Sequence, residues 1–143
     1  MELDAYDKAI LRLVQRDARL SHEAIGEQVS LSASAVRRRL KAMREAGLIA
    51  REVAILAPQE AGFRVVVLVR CQTESTEVYE RFKRRMRSCE DVLECYSVSG
   101  DHDFIVIAHM PDMASYNRWL QDYVIGDEGL NRCDSAFVFE TVK

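Results

Sequence analysis

The sequence predicts an α+β chain in two parts, an N-terminal winged helix-turn-helix joined to a C-terminal ferredoxin-like βαββαβ domain. Three observations predict it. Apolar residues recur at helical spacing through residues 4–46. Past Pro58–Gly62 the pattern changes to short β-branched runs interleaved with two amphipathic stretches. Those runs fall in the order strand, helix, strand, strand, helix, strand, which is the split βαβ arrangement with both helices on one sheet face. The boundaries read from the sequence are 1–57, a linker at 58–62, and 63–143.

Asp4–Asp17 reads as a first helix, with Asp4 and Asp7 suited to its positive end and Ile10, Leu13 and Val14 on one face. Ser21 can cap a second helix whose buried side holds Ile25 and Val29. Ser32 can cap a third. Its Val36, Leu40 and Met43 form an inward stripe, and Gly47 suits a left-handed stop. Ile49–Ala57 alternates partly and suggests a short wing or connecting strand. Beyond the linker, Phe63–Gln72 reads as a strand apolar enough to be covered on both faces, and Glu77–Ser88 as a helix with Val78, Phe82 and Met86 inward. Val92–Ser99 and Asp103–Met110 would form a hairpin around Gly100-Asp101-His102. Asp112 can cap a helix from Met113 to about Val124 that buries Tyr116, Leu120 and one face of Trp119, and Cys133–Val142 closes the sheet. One sheet face stays apolar, and a dimer partner would cover it with the fewest assumptions.

The 143 residues are 48% hydrophobic and 30% charged, as in an ordinary globular protein. The net charge of −3 is unevenly placed: residues 1–57 hold 10 Lys+Arg against 8 Asp+Glu, and residues 58–143 hold 10 against 15. Residues 32–52 alone carry six cations against Glu45 and Glu52. Positive charge confined to one segment is the footprint of a phosphate-binding surface. No apolar run reaches membrane-spanning length, and the acidic opening MELDAYDK is unlike a signal peptide. Cys71, Cys89, Cys95 and Cys133 show no metal-ligand spacing, and His22, His102 and His109 are far apart, so no metal or cofactor is expected and a reducing cytoplasm fits. Asp101, His102 and Asp103 are adjacent, but neighbouring strand-end residues point different ways.

The third helix is the candidate for reading double-stranded DNA. At 100° per residue, Ser34, Arg37, Arg38 and Lys41 fall opposite the apolar stripe. Ser32 stands at the N-terminal end that enters the major groove in helix-turn-helix docking, and Arg44 extends the cationic cluster. The plain alternative is a solvated helix face. The basic run Arg81–Arg87 is read as such a face, with DNA contact in an oligomer as the lesser possibility.

Taken together, LDAYDKAILRLVQRDARLS, LSASAVRRRLKAMREAGLI, VSGDHDFIVIAHMPDMASY and SAFVFETVK resemble, in order and spacing, the Lrp/AsnC family of prokaryotic regulators. The resemblance implies a winged helix-turn-helix, an amino-acid-sensing βαββαβ domain, and dimers that build tetramers or octamers. Departures accompany it. Ser30 stands where relatives often have Gly, at a cost of about 1 kcal/mol if positive φ is needed. Gly26 replaces a usual Ala, at up to about 1 kcal/mol. Arg44 replaces a common Glu, and Glu128 replaces Pro before Gly129-Leu130, which should leave the turn into the last strand less fixed.

An amino acid is a zwitterion, so a sensor needs a carboxylate for its ammonium, amides or hydroxyls for its carboxylate, and an apolar wall. Gly100 permits close backbone approach, and Asp101 or Asp103 can accept from an ammonium beside His102. Met113 and Phe137 offer wall and Ser135 a hydroxyl. The resemblance places such a site between subunits. The plain alternative is a hairpin whose Asp residues satisfy turn amides. Two other functions share this architecture, an enzyme of the sirohaem-decarboxylase type and an effector-independent DNA-architectural protein. With only three His in the chain and the cationic helix intact, a non-enzymatic regulator is expected.

Overall fold

In the computed structural model, which describes residues 2–54 and 62–142, the helical half opens on a capping box. Asp4 Oδ1 accepts from the Asp7 N–H at 2.8 Å, and Asp7 Oδ2 accepts from the Asp4 N–H at 3.2 Å. These bonds start α1 (Ala5–Arg16). Ser21 Oγ accepts from the Ala24 N–H at 3.1 Å and starts α2 (His22–Val29); Ser32 Oγ accepts from the Ala35 N–H at 3.2 Å and starts α3 (Ala33–Glu45). Ile10, Ile25, Val36, Leu40 and Met43 are buried together, one stripe from each helix. The Schellman pair Leu48 N–H to Met43 O (2.9 Å) and Gly47 N–H to Arg44 O (3.0 Å) ends α3, with Gly47 at φ 72°.

Two details of the α2–α3 turn bear on expected weakness. Ser30 adopts φ 57°, ψ 45°, so the left-handed cost falls on a residue with a Cβ. Gly26, by contrast, is required. A Cβ there would lie 2.4 Å from the Leu31 carbonyl oxygen, so the close approach of the turn outweighs the lower helix propensity of Gly. The expected wing is corrected in part: residues 50–54 form no strand, having no partner strand in this unit among the described residues, and residues 55–57 lie outside them, as do residues 58–61 of the expected linker. The chain divides into two compact units, one within residues 1–55 and one within 56–143.

The second unit runs β1 (Phe63–Cys71), α4 (Thr76–Ser88), β2 (Val92–Ser97), β3 (Phe104–Met110), α5 (Met113–Leu120) and β4 (Leu130–Phe137). The sheet is antiparallel in the order β2-β3-β1-β4. Val65, Val67 and Val69 of β1 and Phe104, Val106 and Ala108 of β3 face the helices, packed on Phe82, Met86, Tyr116 and Trp119. Val66, Leu68, Ile105 and Ile107 face the other way and are only half-buried, so a single chain covers β1 on one face, not two. The hairpin loop is longer than expected, 98–103, closed by the Val98 N–H donating to Asp103 O at 3.0 Å.

The last strand is shifted from the expected Cys133–Val142. It begins at Leu130, opposite Cys71, and ends where β1 begins: the last bond runs from the Val138 N–H to Arg64 O at 2.9 Å. Among the described residues, no strand lies beside residues 139–142. The helix after Asp112 stops at Leu120 and continues as a π-helical turn, Gln121–Ile125. The turn that follows is well fixed despite Glu128. The buried Asp127 accepts from Arg81 Nη2 at 2.6 Å, Arg85 Nη1 at 2.9 Å and the Gly129 N–H at 2.9 Å. Two cations of the Arg81–Arg87 run are thereby structural, while Arg84 and Arg87 stay exposed. Among the described residues, no helix is long and apolar enough to cross a membrane.

Candidate DNA-reading helix and effector residues

α3 projects its polar residues as helical geometry requires. Ser32, Ser34, Arg37, Arg38, Lys41 and Arg44 are all exposed. Ser32 and Ser34 hydroxyls lie 3.1 Å apart at the N-terminal end. The cations differ in their surroundings. No carboxylate pairs with Arg37 or Arg38 among the described residues, which leaves them open to a polyanion. Lys41 Nζ lies 3.7 Å from Glu45, and Arg44 Nη2 donates to Glu52 Oε1 at 2.6 Å. These exposed pairs are weak, so DNA phosphates can displace the carboxylates. Arg39 is apart from the rest, bonded to Asp4 and Asp7 of α1. A capped supporting helix, a tight turn and a second helix with a free cationic face together suit major-groove docking.

The seven residues expected at an effector site do not converge within one chain. The register sets Phe104 opposite Val69 and Met110 opposite Phe63. The hairpin loop therefore lies at one end of β3 and Met113 beyond the other, six residues or about 20 Å apart. Phe137, opposite Val65, belongs to the Met113 end, and Ser135 lies between.

At the loop end, Gly100 has φ 110° and open space where a Cβ would stand, and Asp101 is exposed. Asp103 is committed inside the chain. Its Oδ2 accepts from the Cys71 N–H at 2.7 Å and its Oδ1 from the Tyr79 hydroxyl, which ties the loop to the end of β1 and to α4. Burial opposes its charge, yet these two donors hold it below the usual carboxylate range. The same bond pushes the Tyr79 hydroxyl up to about 12, and burial, reinforced by Asp103, pushes the Cys71 thiol up to about 11. His102 Nε2 lies 3.1 Å from Asp134 Oδ2, whose other oxygen accepts from Arg132 Nη2 at 2.9 Å. Of the two loop aspartates, Asp101 is the exposed one.

At the other end Met113 is half-exposed beside the Asp112 cap. Phe137 packs edge-on against Phe63 and Tyr116, each at 5.3 Å between ring centres, and Ser135 Oγ accepts from the Tyr116 hydroxyl at 2.5 Å. The side-chain bonds of Tyr79, Tyr116 and Asp134 went unpredicted because each pairs with a residue 19 to 32 positions away, beyond any local pattern. A concavity of about 440 Å³ beside α4, lined by Glu74, Ser75, Thr76, Tyr79, Glu80 and Lys83, holds none of the seven.

Known proteins share both halves. The AsnC-type helix-turn-helix domain matches residues 3–44, and the Lrp/AsnC ligand binding domain matches residues 64–143. The chain is 30% identical to the leucine-responsive regulatory protein of Escherichia coli K12, across 99% of this chain and 88% of that one. It is 34% identical to an uncharacterised HTH-type transcriptional regulator of Sinorhizobium fredii, across 100% and 86%. A Neisseria meningitidis transcriptional regulator solved as an L-Met complex matches with TM-score 0.84 and 28% identity, over 99% of this chain and 93% of that one. An AsnC family regulator of Agrobacterium tumefaciens matches with TM-score 0.82 and 32% identity, over the same shares.

Proposed function

We propose that this chain, which belongs to the Lrp/AsnC family of DNA-binding transcriptional regulators, reads a specific operator as a two-fold oligomer and responds to a free amino acid. The observation that carries the DNA half is the exposed face of α3, where, among the described residues, Arg37 and Arg38 stand without carboxylate partners at the end that reaches base edges. Arg38 is the candidate for a guanine and Lys41 and Arg44 for phosphates.

The amino-acid response is supported by the L-Met complex of the Neisseria regulator and by the residues left free here. Asp101 would accept from the ammonium, with the Gly100 backbone beside it. Met113 and Phe137, with Ser135 between them and the loop, would supply an apolar wall. Since these two sets lie at opposite ends of the sheet, one complete site takes its loop from one subunit and its α5–β4 surface from another. The half-buried face of Val66, Leu68, Ile105 and Ile107 supports a homodimer through residues 63–143, and further association to a tetramer or octamer would bring loop and wall together. A ligand bound across that junction can alter DNA binding by favouring one assembly over another.

The test is fluorescence anisotropy on DNA from upstream of the protein's own gene, titrated with and without each of the twenty amino acids. A coupling of about 1–3 kcal/mol is expected, roughly 5–150-fold in operator affinity. No shift with any amino acid would remove the sensing half. Co-assembling Asp101→Asn and Phe137→Ala subunits should restore some response that neither variant shows alone. If the mixture stays silent, the site is not shared between subunits.

A further inference from the structure

Arg39 follows Arg38 directly in sequence but does a different job. From a single Nη1 it donates to Asp4 Oδ2 and Asp7 Oδ1, both at 2.7 Å, and its guanidinium lies 5.6 Å from the centre of the Tyr6 ring. Asp4 and Asp7 are the two partners of the α1 capping box, and the Asp7 side chain is only 6% exposed. The carboxylates that close the first turn of α1 therefore also grip the middle of α3.

Helical geometry excludes Arg39 from the reading face. At 100° per residue it lies about 60° round from the Val36–Leu40–Met43 stripe and about 150° from the centre of the Ser34–Arg37–Arg38–Lys41 face. When that face meets DNA, Arg39 points away. An apolar stripe fixes which side of a helix is buried but resists rolling weakly, because dispersion contacts are non-directional. A charged bond on the flank of the stripe is directional. With side chains reaching about 5–6 Å from the helix axis, a 10° roll moves a reading group by about 1 Å, enough to spoil a hydrogen bond to a base edge.

We infer that Arg39 is a positioning residue for DNA reading: held by Asp4 and Asp7, it sets the roll of α3 on α1 and so where Arg37 and Arg38 are presented, without touching DNA. This rests on the DNA-binding reading above. Its signature is a sign. Removing a negative charge from a DNA-binding unit should tighten binding by electrostatics alone, whereas loss of the clamp should weaken it.

The experiment compares the full-length parent with Asp7→Asn, Arg39→Met, Arg39→Lys and the Asp7→Asn/Arg39→Met double variant. Asn keeps a hydrogen-bond acceptor for the α1 cap, so the fold is retained. Operator and unrelated DNA are titrated over a range of salt, and thermal unfolding is followed in parallel. Asp7→Asn and Arg39→Met should each lose about fivefold or more on the operator, the low end of what one base contact provides. Affinity for unrelated DNA should not fall in Asp7→Asn, the salt slope should stay as in the parent, the double variant should lose no more than the worse single one, and Arg39→Lys should keep part of what Arg39→Met loses. Tighter or unchanged operator binding by Asp7→Asn overturns the proposal. So does a salt slope lowered by about one in Arg39→Met, which would make Arg39 a phosphate contact. A parent that fails to discriminate its operator would instead remove the DNA-binding reading. The clamp would then stand or fall on the unfolding data, where absence of coupling between Asp7→Asn and Arg39→Met overturns it.

Discussion

The two halves of this molecule present their candidate functional residues in opposite ways. Ser32 to Arg44 lie on consecutive turns of one helix, so a few residues of sequence suffice to gather them on a face. Gly100, Asp101 and His102 stand at one end of a sheet and Met113 and Phe137 at the other, about 20 Å away along β3. The difference teaches that a helix builds a surface from neighbours in sequence, whereas a sheet builds one from register between distant strands. The first can be complete in a single chain. The second, under the proposal above, takes another subunit to bring its parts together.

Five substitutions probe this contrast, in falling order of expected effect. The largest is Asp127→Asn in the sheet half, which removes the negative charge and one of the two acceptor oxygens shared by Arg81, Arg85 and the Gly129 N–H. Loss of charged hydrogen bonds to a buried carboxylate should cost about 1.5–3 kcal/mol in denaturant unfolding. It also carries a pH signature. The Arg81 guanidinium holds Asp127 below the usual carboxylate range, against the opposing effect of burial. A carboxyl with a depressed folded value contributes stability that is fully present above its unfolded value, about 3.9, and lost as pH falls through the folded one. Asp127→Asn should therefore flatten the acid side of the stability profile, and an unchanged profile would make the three-way bond incidental. DNA reading by α3 should be unaffected by this change if the halves work as separate surfaces.

Arg38→Ala reverses the contrast. Stability should hold while operator discrimination falls by about 1–3 kcal/mol, measured as the ratio of operator to unrelated DNA affinity. Equal loss on both DNAs would move Arg38 from base to phosphate. Lys41→Ala should act as a phosphate contact from the start, weakening all sequences alike and lowering the salt slope.

Next in size, Gly26→Ala should destabilise the helical half by about 1–2 kcal/mol, since its Cβ would press on the Leu31 carbonyl oxygen. Propensity alone would predict the opposite sign. A calorimetric gain in stability would show that the turn can relax. Smallest is Ser30→Gly, where relief of the left-handed backbone should stabilise by a few tenths of a kcal/mol, about 1 at most. Together these two changes test whether packing or propensity governs the α2–α3 turn.

Much of this was legible in the chain itself. The Ser21 and Ser32 caps, the Val36–Leu40–Met43 stripe and the Gly47 stop all stand where their spacing places them. The element order of the sheet half was legible too, because β-branched runs and amphipathic helices differ in period. The end of β4 was not. Residues 138–142 look like strand, but a strand continues only beside another, and among the described residues β1 starts at Phe63. The fate of Asp103 was equally hidden: as a loop aspartate it suits a ligand, and only the approach of Cys71 and Tyr79 shows its oxygens to be taken.

By itself, then, the sequence determined where helices start and stop, which faces they bury, which segments are strands, and that positive charge gathers on one helix. Those properties depend on residues three or four apart, or two apart in a strand. Only the tertiary structure decided which charges are already paired. It assigned Arg39 to Asp4 and Asp7, Arg81 and Arg85 to Asp127, His102 to Asp134, and separated the loop from Met113 and Phe137 by the length of a strand. A side chain's partner is set by chain segments tens of residues away, and no local period encodes their meeting.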